Sequence, residues 1–162
     1  MLSMFRGSGR RSKLNAYVVG FVDGEGSFNI SIKKQSTARF GWVVDPSFTV
    51  TQQTENREVL ELVKTALTCG RIIPKAGQPN LLVFVVDNRR QLAEKVIPFF
   101  EKHQLLVKRK DFEAFRAIVA KLENKEHSTK EGLTELIRMA TSIHHSKGKR
   151  KYTEEILDSL EQ

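Results

Sequence analysis

The sequence predicts an α+β domain in which helices pack on a four-stranded antiparallel sheet. Three observations support this class: an apolar helical segment near the start, alternation of apolar and polar residues with period two after it, and helical periodicity in the last third. The predicted order is helix, two strands, helix, two strands, then helices, with no internal repeat. A length of 162 residues fits one domain with a buried core.

The first helix is predicted over residues 15–22, which are apolar on nearly every side. Asn15 is a candidate N-cap and Gly24 a candidate C-cap. A helix that is apolar all round is expected only where every face is buried. The pattern therefore predicts a short helix that is covered on all sides.

Two strands with one polar face follow this helix. Apolar and polar side chains alternate over residues 27–35 and again over 42–51, which predicts half-buried strands. Pro46 predicts a bulge or a sheet edge, because proline cannot donate a ladder hydrogen bond. The polar face of the two strands carries Asn29, Ser31, Lys33, Gln35, Asp45, Ser47 and Thr49.

A helix, a hairpin and further helices complete the prediction. Thr54 or Asn56 can cap a helix that ends at Gly70. Strands over residues 71–74 and 81–86 are joined by K-A-G-Q-P-N, which is typical of a hairpin turn. The last helices are predicted over residues 90–100, with a stop or kink at Pro98, and over 111–122, 129–143 and 154–160.

The chain is strongly basic, with 27 Lys and Arg against 19 Asp and Glu and a formal charge of +8. Basic clusters lie before residue 14, at residues 108–110 and at 147–151. Each cluster alone could be a solvated surface, but three together favour a polyanionic partner, since phosphate contacts dominate nucleic-acid affinity. We expect a flexible basic arm over residues 1–13, the main domain over 14–145, and a basic linker with a C-terminal helix over 146–162.

Several function classes are excluded by composition. The single cysteine, Cys69, rules out an intramolecular disulfide and a cysteine-rich zinc site. The longest apolar run, residues 81–86, is far shorter than the ~20 residues that span a bilayer. The start of the chain has no apolar segment typical of a secretory signal. We expect an intracellular, reducing compartment, either the cytoplasm or an organelle matrix, and no membrane partner.

The densest chemical signal is Y-V-V-G-F-V-D-G-E-G-S, residues 17–27. It places Asp23 and Glu25 at the end of the apolar helix and flanks Glu25 with glycines, which allow close approach of a ligand or backbone. A carboxylate beside helix-end carbonyls is suited to a hard cation such as Mg²⁺. A capped helix followed by a glycine-rich turn with a solvated glutamate is the alternative for this string alone.

This segment resembles the motif of the LAGLIDADG homing endonucleases, a helix ending in G-φ-φ-D-G-[DE]-G. Further matching stretches are F-T-V-T-Q-Q-T, L-L-V-K-R-K-D-F and H-S-T-K-E-G-L, and the resemblance covers residues 14–145. Val18 and Val19 stand where the family has a Leu-Ala pair. The resemblance implies the αββαββα endonuclease fold, with C-terminal helices and a sheet that forms a DNA-binding saddle.

The resemblance also implies the catalytic residues. Glu25 would bind the catalytic divalent metal, Mg²⁺ or Mn²⁺, together with the carbonyl oxygen of Gly24. Gln52 would position a water, and Lys108, or Lys110 if the register differs, would stabilise charge at the scissile phosphate. Two further assignments follow from the same resemblance: Asp23 would cap or orient the helix end, and Asn56 or Arg57 would add a polar group near the site.

DNA recognition would use the polar strand face, whose same-side residues repeat every ~6.6 Å, close to two base-pair steps of ~3.4 Å. Such a face offers donors and acceptors to base edges in the major groove. Lys110 is a further DNA contact, and the second hairpin adds Ile73, Lys75 and Asn80 as weaker candidates.

The chain has one motif, whereas longer family members with two motifs act as monomers, so the resemblance implies a homodimer. The motif helix would form its interface through Tyr17, Val18, Gly20 and Phe21. Two-fold symmetry predicts a long pseudo-palindromic target and a double-strand break made by metal-dependent phosphodiester hydrolysis. The gene is expected to be intron-encoded.

Two other functions fit parts of the pattern. A non-cleaving DNA- or RNA-binding protein on the same fold, such as an intron maturase or a regulator, would share the scaffold, although it would not need an acid facing phosphates. A basic ribosome-associated protein would explain the charge but neither the D-G-E-G turn nor the two-faced sheet.

Overall fold

The computed structural model describes residues 9–143 and 147–161. Helix and strand assignments confirm the predicted α+β class and the order of the first six elements. The elements are α1 (Arg10–Glu25), β1 (Gly26–Lys34), β2 (Trp42–Gln53), α2 (Arg57–Leu67), β3 (Arg71–Lys75), β4 (Gln78–Val86), α3 (Arg89–Gln91), α4 (Ile97–Lys102), α5 (Arg109–Glu123), α6 (Lys130–Ile143) and α7 (Lys147–Glu161).

The four strands form one sheet in the order β1-β2-β4-β3. The chain divides into two compact units: unit 1 contains the residues up to Asn29 and Ser47–Phe112, and unit 2 contains Ile30–Pro46 and the residues from Glu113 onward. Strands β1 and β2 and helix α5 pass from one unit into the other.

Unit 1 has an aromatic core. The ring centroids of Phe28 and Phe48 are 5.1 Å apart, and Phe100 lies 5.6 Å from each of them. Phe112 and Phe84 extend the cluster, at 5.4 Å from Phe28 and 6.2 Å from Phe48 respectively. Aromatic pairs at these separations add to the burial of their surface. The cluster therefore packs the start of β1, the second half of β2, β4, α4 and the start of α5 together.

Unit 2 is organised by polar contacts at helix ends. The Thr129 hydroxyl accepts a hydrogen bond from the Gly132 N–H at 3.1 Å and so caps α6. The Lys121 ammonium forms ion pairs with Glu126 at 2.8 Å and Glu135 at 3.2 Å. These contacts connect α5, the 3₁₀ turn Glu126–Ser128 and α6.

Helix α1 differs from its prediction at both its start and its burial. It begins at Arg10, so residues 10–13 are helical and not part of a flexible arm, while residues 1–8 lie outside the described residues. Only one stripe is buried, Leu14, Val18 and Val22, because these side chains repeat every fourth residue. The opposite face, including Ala16, Tyr17, Gly20 and Gly24, is exposed in the single chain.

All four prolines lie in helices or strands, and three of them bear on the predictions. Pro46 is buried in β2 and lies outside residues 48–53, through which this strand pairs with β4, so the predicted bulge or sheet edge at Pro46 stays a prediction. Pro79 lies within β4, and the hairpin turn is only Ala76–Gly77 because Lys75 pairs with Gln78. Pro98 follows a π-helical turn, Leu92–Val96, in which the Ile97 N–H bonds to the Leu92 carbonyl. This wider turn lets the helical path continue past a proline.

The C-terminal basic cluster is helical too. Helix α7 begins at Lys147, so the predicted linker over residues 146–153 is mostly the first half of this helix, and residues 144–146 lie outside the described residues. Among the described residues, no helix has the length and apolar character required to cross a membrane.

Candidate active site and nucleic-acid interface

The site is built where α1 ends and β1 begins. A Cβ on Gly26 would lie 2.6 Å from Val22 Cγ1 and 2.8 Å from the Val22 carbonyl oxygen, so only glycine fits here. The Gly26 N–H bonds to that same carbonyl and closes the helix. Because the chain becomes extended at Gly26, the preceding Glu25 stands exposed at the helix end, where the sequence predicts a catalytic carboxylate.

The other acid of the motif, Asp23, is bound to backbone amides far along the chain. Its Oδ1 accepts hydrogen bonds from the N–H groups of Val107 and Lys108, both at 2.9 Å. Its Oδ2 accepts from Leu106 at 3.1 Å and from Val107 at 3.0 Å. Three successive amides therefore converge on one carboxylate. The prediction that Asp23 has an orienting role agrees with this geometry, although its partner is the segment before α5.

The pKa of Asp23 is lowered from its ordinary value of 3.8. Burial alone would raise it, but the amide hydrogen bonds from Lys108, Val107 and Leu106, with the nearby Lys108 charge, lower it by more in total. Asp23 is therefore an anion at neutral pH, and its charge faces the first turn of α5, where the helix dipole favours it.

The two candidate lysines lie on either side of the start of α5. Lys108 is half-buried, its N–H bonds to Asp23, and its carbonyl accepts the Phe112 N–H at 2.9 Å, which starts the helix. Lys110 is exposed on the first turn of α5. The Asp23 contact ties Lys108, rather than Lys110, directly to the motif helix.

Gln52 lies near the end of β2, where it is paired with Leu82 of β4. Its Oε1 accepts from the Gln53 N–H at 2.8 Å and from Asn56 Nδ2 at 3.4 Å, so the amide is oriented by its neighbours. Arg57 pairs instead with Glu61 at 3.1 Å on the surface of α2. Of the two secondary candidates, Asn56 therefore contacts a predicted site residue, whereas Arg57 is engaged elsewhere.

The oxygen ligands at the end of α1 suit a hard cation but are few. Gly24 follows Val22, the acceptor of the closing helical bond, so its carbonyl is among the helix-end oxygens without an intrahelical partner. With the Glu25 carboxylate it supplies two kinds of oxygen ligand, and Mg²⁺ accepts sparse protein ligation completed by water and phosphate. No group of three or more His, Cys, Asp or Glu side chains able to hold a metal occurs in the described part of the chain. These residues therefore fit a cation that takes its remaining ligands from other molecules.

In unit 1, two residues of the polar strand face are hydrogen-bonded to each other. Asn29 Nδ2 donates to the Thr49 hydroxyl at 2.9 Å, which joins β1 to β2. Ser47 is half-buried on the same strand as Thr49. On the second hairpin, Ile73 is 39% exposed and Lys75 is half-buried beside the turn. The predicted DNA-contacting residues of unit 1 therefore stand on ordered strands, two of them already paired.

In unit 2 the remaining members of that face form a second set. The Ser31 hydroxyl donates to the Asp45 carbonyl at 3.2 Å, and Lys33 forms an exposed ion pair with the Asp45 carboxylate. Gln35 donates from Nε2 to the Thr37 hydroxyl at 3.0 Å in the hairpin connection. Asp45 is therefore neutralised by Lys33, which reduces its repulsion of a polyanion.

The predicted dimer-interface residues separate into two groups. Tyr17 is 39% exposed and stacks on Phe21 with centroids 6.2 Å apart, and a Cβ on Gly20 would meet nothing within 4 Å. Val18 is 0% exposed within its own chain, so its assignment to the interface is wrong. It belongs to the buried stripe because it lies one turn from both Leu14 and Val22.

Sequence reasoning missed the segment that contacts Asp23. Leu106 and Val107 have apolar side chains that are 86% and 81% exposed, although their amides are firmly held. The available signal was that two large apolar residues follow the buried Leu105 and precede the basic cluster, outside any helical stripe. That pattern indicates an ordered turn with exposed apolar side chains, but it does not identify the distant carboxylate.

Comparison with known proteins identifies the family. A family model described as LAGLIDADG endonuclease matches residues 18–119. The homing endonuclease I-ApeII of Aeropyrum pernix is 39% identical over 149 residues, which are 89% of this chain and 88% of the relative. The DNA endonuclease I-CeuI of Chlamydomonas moewusii is 40% identical over 130 residues, 78% of this chain and 60% of the relative.

Solved structures agree in fold. The archaeal intron-encoded homing endonuclease I-Vdi141I, complexed with DNA, is 41% identical with a TM-score of 0.85, and the match covers 93% of this chain and 96% of that one. The group I intron-encoded homing endonuclease I-CeuI, also complexed with DNA, is 36% identical with a TM-score of 0.79 over 85% of this chain and 69% of that one. The matches span the motif helix, the sheet and the turn held by Asp23, and the chain therefore belongs to the LAGLIDADG endonuclease family.

Proposed function

We propose that the protein is a site-specific homing endonuclease that makes a double-strand break in DNA by metal-dependent hydrolysis of phosphodiester bonds. The observation that carries this proposal is the pair of acids at the end of α1: Asp23 is bound to the Leu106–Lys108 amides, while Glu25 is exposed. Similarity to endonucleases in complex with DNA supports the same activity.

The chemistry assigned to each residue follows from its atoms. Glu25 and the Gly24 carbonyl would hold Mg²⁺ or Mn²⁺, which when bound supplies Lewis-acid polarisation of the scissile phosphate and a more acidic water. The Lys108 ammonium would offset negative charge that develops on the phosphate. The Gln52 amide, with its Oε1 occupied by Gln53 and Asn56, would donate from Nε2 to a water or a phosphate oxygen.

Target recognition is assigned to the polar strand face. The polar side chains of β1 and β2 would contact base edges in the major groove, while basic side chains such as Lys75 and Lys110 would add contacts to DNA. The Asn29–Thr49 hydrogen bond and the Lys33–Asp45 ion pair restrict these side chains before binding, which lowers the entropy cost of recognition. A long target read at intervals is the expected result.

A homodimer is proposed because one chain supplies a single motif helix. The exposed face of α1 carries Gly20 and Gly24, at which an added Cβ would meet nothing within 4 Å, so another backbone can approach closely. Leu106 and Val107, whose amides bind Asp23 near the end of α1, add two exposed apolar side chains. Two-fold symmetry would then give a pseudo-palindromic target with one strand cut by each subunit.

The competing proposal is a non-cleaving DNA- or RNA-binding protein, such as an intron maturase. It is not favoured, because Glu25 is exposed rather than used in the fold, and because relatives over most of the chain are named endonucleases. An intron-encoded origin, and with it the host compartment, is proposed from the names of relatives such as the probable intron-encoded DNA endonuclease 1 of Mycosarcoma maydis.

One selection experiment tests the function. The purified protein is incubated with a randomised duplex DNA library, with Mg²⁺ in one arm and Ca²⁺ in the other, and both bound and cleaved molecules are sequenced. We expect a long, roughly two-fold symmetric site that is bound in both arms and cleaved with Mg²⁺. Binding of the same site without cleavage in Mg²⁺ or Mn²⁺ would favour the maturase or regulator instead.

A further inference from the structure

Residues 106–108, at the end of the segment between α4 and α5, are held on the motif helix by the Asp23 carboxylate. Residues 103–108 form no regular structure, and of its apolar side chains Leu105 is buried whereas Leu106 and Val107 are more than 80% exposed. Packing of side chains therefore does little to hold residues 106–108. Their backbone amides, in contrast, make four hydrogen bonds of 2.9–3.1 Å to Asp23.

This anchor connects the two ends of the proposed catalytic machinery. Asp23 lies two residues before Glu25 on the same helical turn, about 3 Å along the axis at ~1.5 Å per residue. Its carboxylate binds the N–H of Lys108, which is 85 residues away in the chain. The Lys108 carbonyl also accepts the first helical hydrogen bond of α5, from Phe112. The Asp23 carboxylate therefore fixes the position of the Lys108 backbone relative to Glu25.

We propose that Asp23 is a positioning residue for strand cleavage: its carboxylate fixes the Leu106–Lys108 turn and thereby holds the Lys108 ammonium in register with Glu25. This inference rests on the proposed nuclease function and on the role of Lys108 within it. Asp23 acts through the backbone of the turn and does not contact the reacting atoms.

The geometry explains why a neutral side chain would not replace it. A carboxylate offers two acceptor oxygens and no hydrogen, and both oxygens of Asp23 are in use. In Asp23→Asn, one oxygen remains, but the amide NH₂ would face backbone N–H groups. The turn would lose at least one charge-assisted hydrogen bond and shift. A displacement near 1 Å of a catalytic group is sufficient to slow a reaction by about a hundred-fold.

The test is a double-mutant cycle on the DNA site that the wild-type protein selects from the randomised library. Single-turnover cleavage at saturating protein is measured with Mg²⁺ for wild type, Asp23→Asn, Lys108→Ala and the double variant, and target affinity is measured separately in Ca²⁺. We expect Asp23→Asn to slow cleavage about 10- to 100-fold with affinity unchanged, and the double variant to be no slower than Lys108→Ala. Multiplication of the two single effects in the double variant would overturn the proposal, as would cleavage by Asp23→Asn at the wild-type rate.

Two further measurements separate positioning from general destabilisation. Amide hydrogen exchange of residues 105–112 in the free protein should rise in Asp23→Asn and stay at the wild-type level in Lys108→Ala. Thr129→Ala removes a comparable capping bond at α6 and serves as the matched control, which should lower the melting temperature without slowing cleavage. If Thr129→Ala slows cleavage as much as Asp23→Asn, loss of stability explains both and the proposal fails.

The outcomes also distinguish this inference from the function on which it rests. Wild-type protein that binds its site but never cuts it would contradict the proposed function, and the positioning role would fail with it. Wild-type protein that cuts, together with independent effects of the two substitutions, would contradict only the positioning role of Asp23.

Discussion

Asp23 and Glu25 are two carboxylates of the same motif, two residues apart, and the fold uses them in opposite ways. Asp23 accepts four hydrogen bonds from amides that lie 83 to 85 residues later in the chain. Glu25 stands exposed where α1 gives way to β1. The difference comes from what the rest of the chain brings to each acid. It shows that a motif read as one unit can contain a structural anchor and a freely exposed carboxylate side by side.

The glycines around the two acids also differ in their surroundings. Gly20 and Gly24 lie on an open face, where an added Cβ would have no neighbour within 4 Å. Gly26 has no such room, because Val22 occupies the space. Glycine therefore leaves the helix surface open to close approach at Gly20 and Gly24. At Gly26 it allows the backbone to pass next to Val22.

Apart from Glu25 itself, the largest effect is expected at Lys108, the lysine whose N–H is bound by Asp23. Lys108→Ala removes the proposed charge stabilisation and should slow single-turnover cleavage about a hundred-fold or more, by analogy with the loss of one transition-state donor. Lys110→Ala, two residues away and exposed, is the matched control and should weaken DNA binding in a salt-dependent way with a smaller effect on the cleavage rate. A reversed pattern would make Lys110 the catalytic lysine and remove Asp23 from the mechanism.

The open face of α1 is tested by filling it. Gly20→Leu has room in the single chain and improves helix propensity by roughly 0.8–1 kcal/mol, yet it would block close approach of a second helix. We expect a folded monomer by sedimentation at micromolar concentration, whereas the wild type sediments as a dimer. Ala120→Leu on the exposed face of α5 is the control and should remain dimeric. A monomeric wild type would contradict the dimer.

The turn between α1 and β1, where Gly26 leaves no room for a side chain, is tested by substituting that glycine. Gly26→Ala places a Cβ 2.6 Å from Val22 Cγ1, so the helix end must shift, at a cost of about 1–3 kcal/mol in the free energy of unfolding. Gly24→Ala, two residues earlier, should leave that free energy unchanged or slightly raised. Both are compared by urea unfolding in the Gly20→Leu background, where dimerisation does not contribute. Equal effects of the two substitutions would show that the turn tolerates a side chain.

The smallest effect, on the pH dependence of stability, is expected at a second contact between α1 and the segment after α4. Asn15 Nδ2 contacts His103 Nε2 at 3.2 Å. Burial, with a smaller contribution from Lys102, lowers the pKa of His103 below its ordinary 6.5, so the folded protein binds fewer protons at this site than the unfolded chain does. The contribution of neutral His103 to the free energy of unfolding is therefore complete above about pH 6.5. It is lost as the pH falls through the folded-state pKa.

The measurement is urea unfolding at about pH 7.5 and about pH 5.5. Wild type should lose more stability over this interval than His103→Gln, which cannot titrate there. An equal loss in the two proteins would show that His103 does not contribute to the pH dependence, and a larger loss in His103→Gln would reverse the assigned direction.

Local patterns predicted much of the fold. Alternation with period two located β1 and β2, and the helical stripe of α2 and α5 located those helices within a few residues. Predictions failed where distant packing decides. The π-helical turn before Pro98 keeps the helical path continuous, and this outcome does not follow from the residues nearby.

The site divides in the same way. The exposed Glu25 follows from the glycines of the motif, because Gly26 ends the helix by a contact only four residues back. The Asp23 anchor could not be predicted from periodicity, since it joins α1 to amides more than 80 residues later. Val18 was assigned to the wrong side of α1 because an all-apolar helix gives no indication of which stripe faces the core.

The central claim is that Glu25 is the catalytic acid of a metal-dependent endonuclease, and Glu25→Gln tests it most directly. The variant keeps the shape of the side chain but removes its charge and replaces one carboxylate oxygen by an NH₂ group. On the selected site, single-turnover cleavage in Mg²⁺ should fall about a thousand-fold, since metal-based charge stabilisation contributes several kcal/mol. Affinity in Ca²⁺ and the melting temperature should change little, and Glu123→Gln on an exposed helix end should cut normally. Cleavage by Glu25→Gln at the wild-type rate would contradict the account.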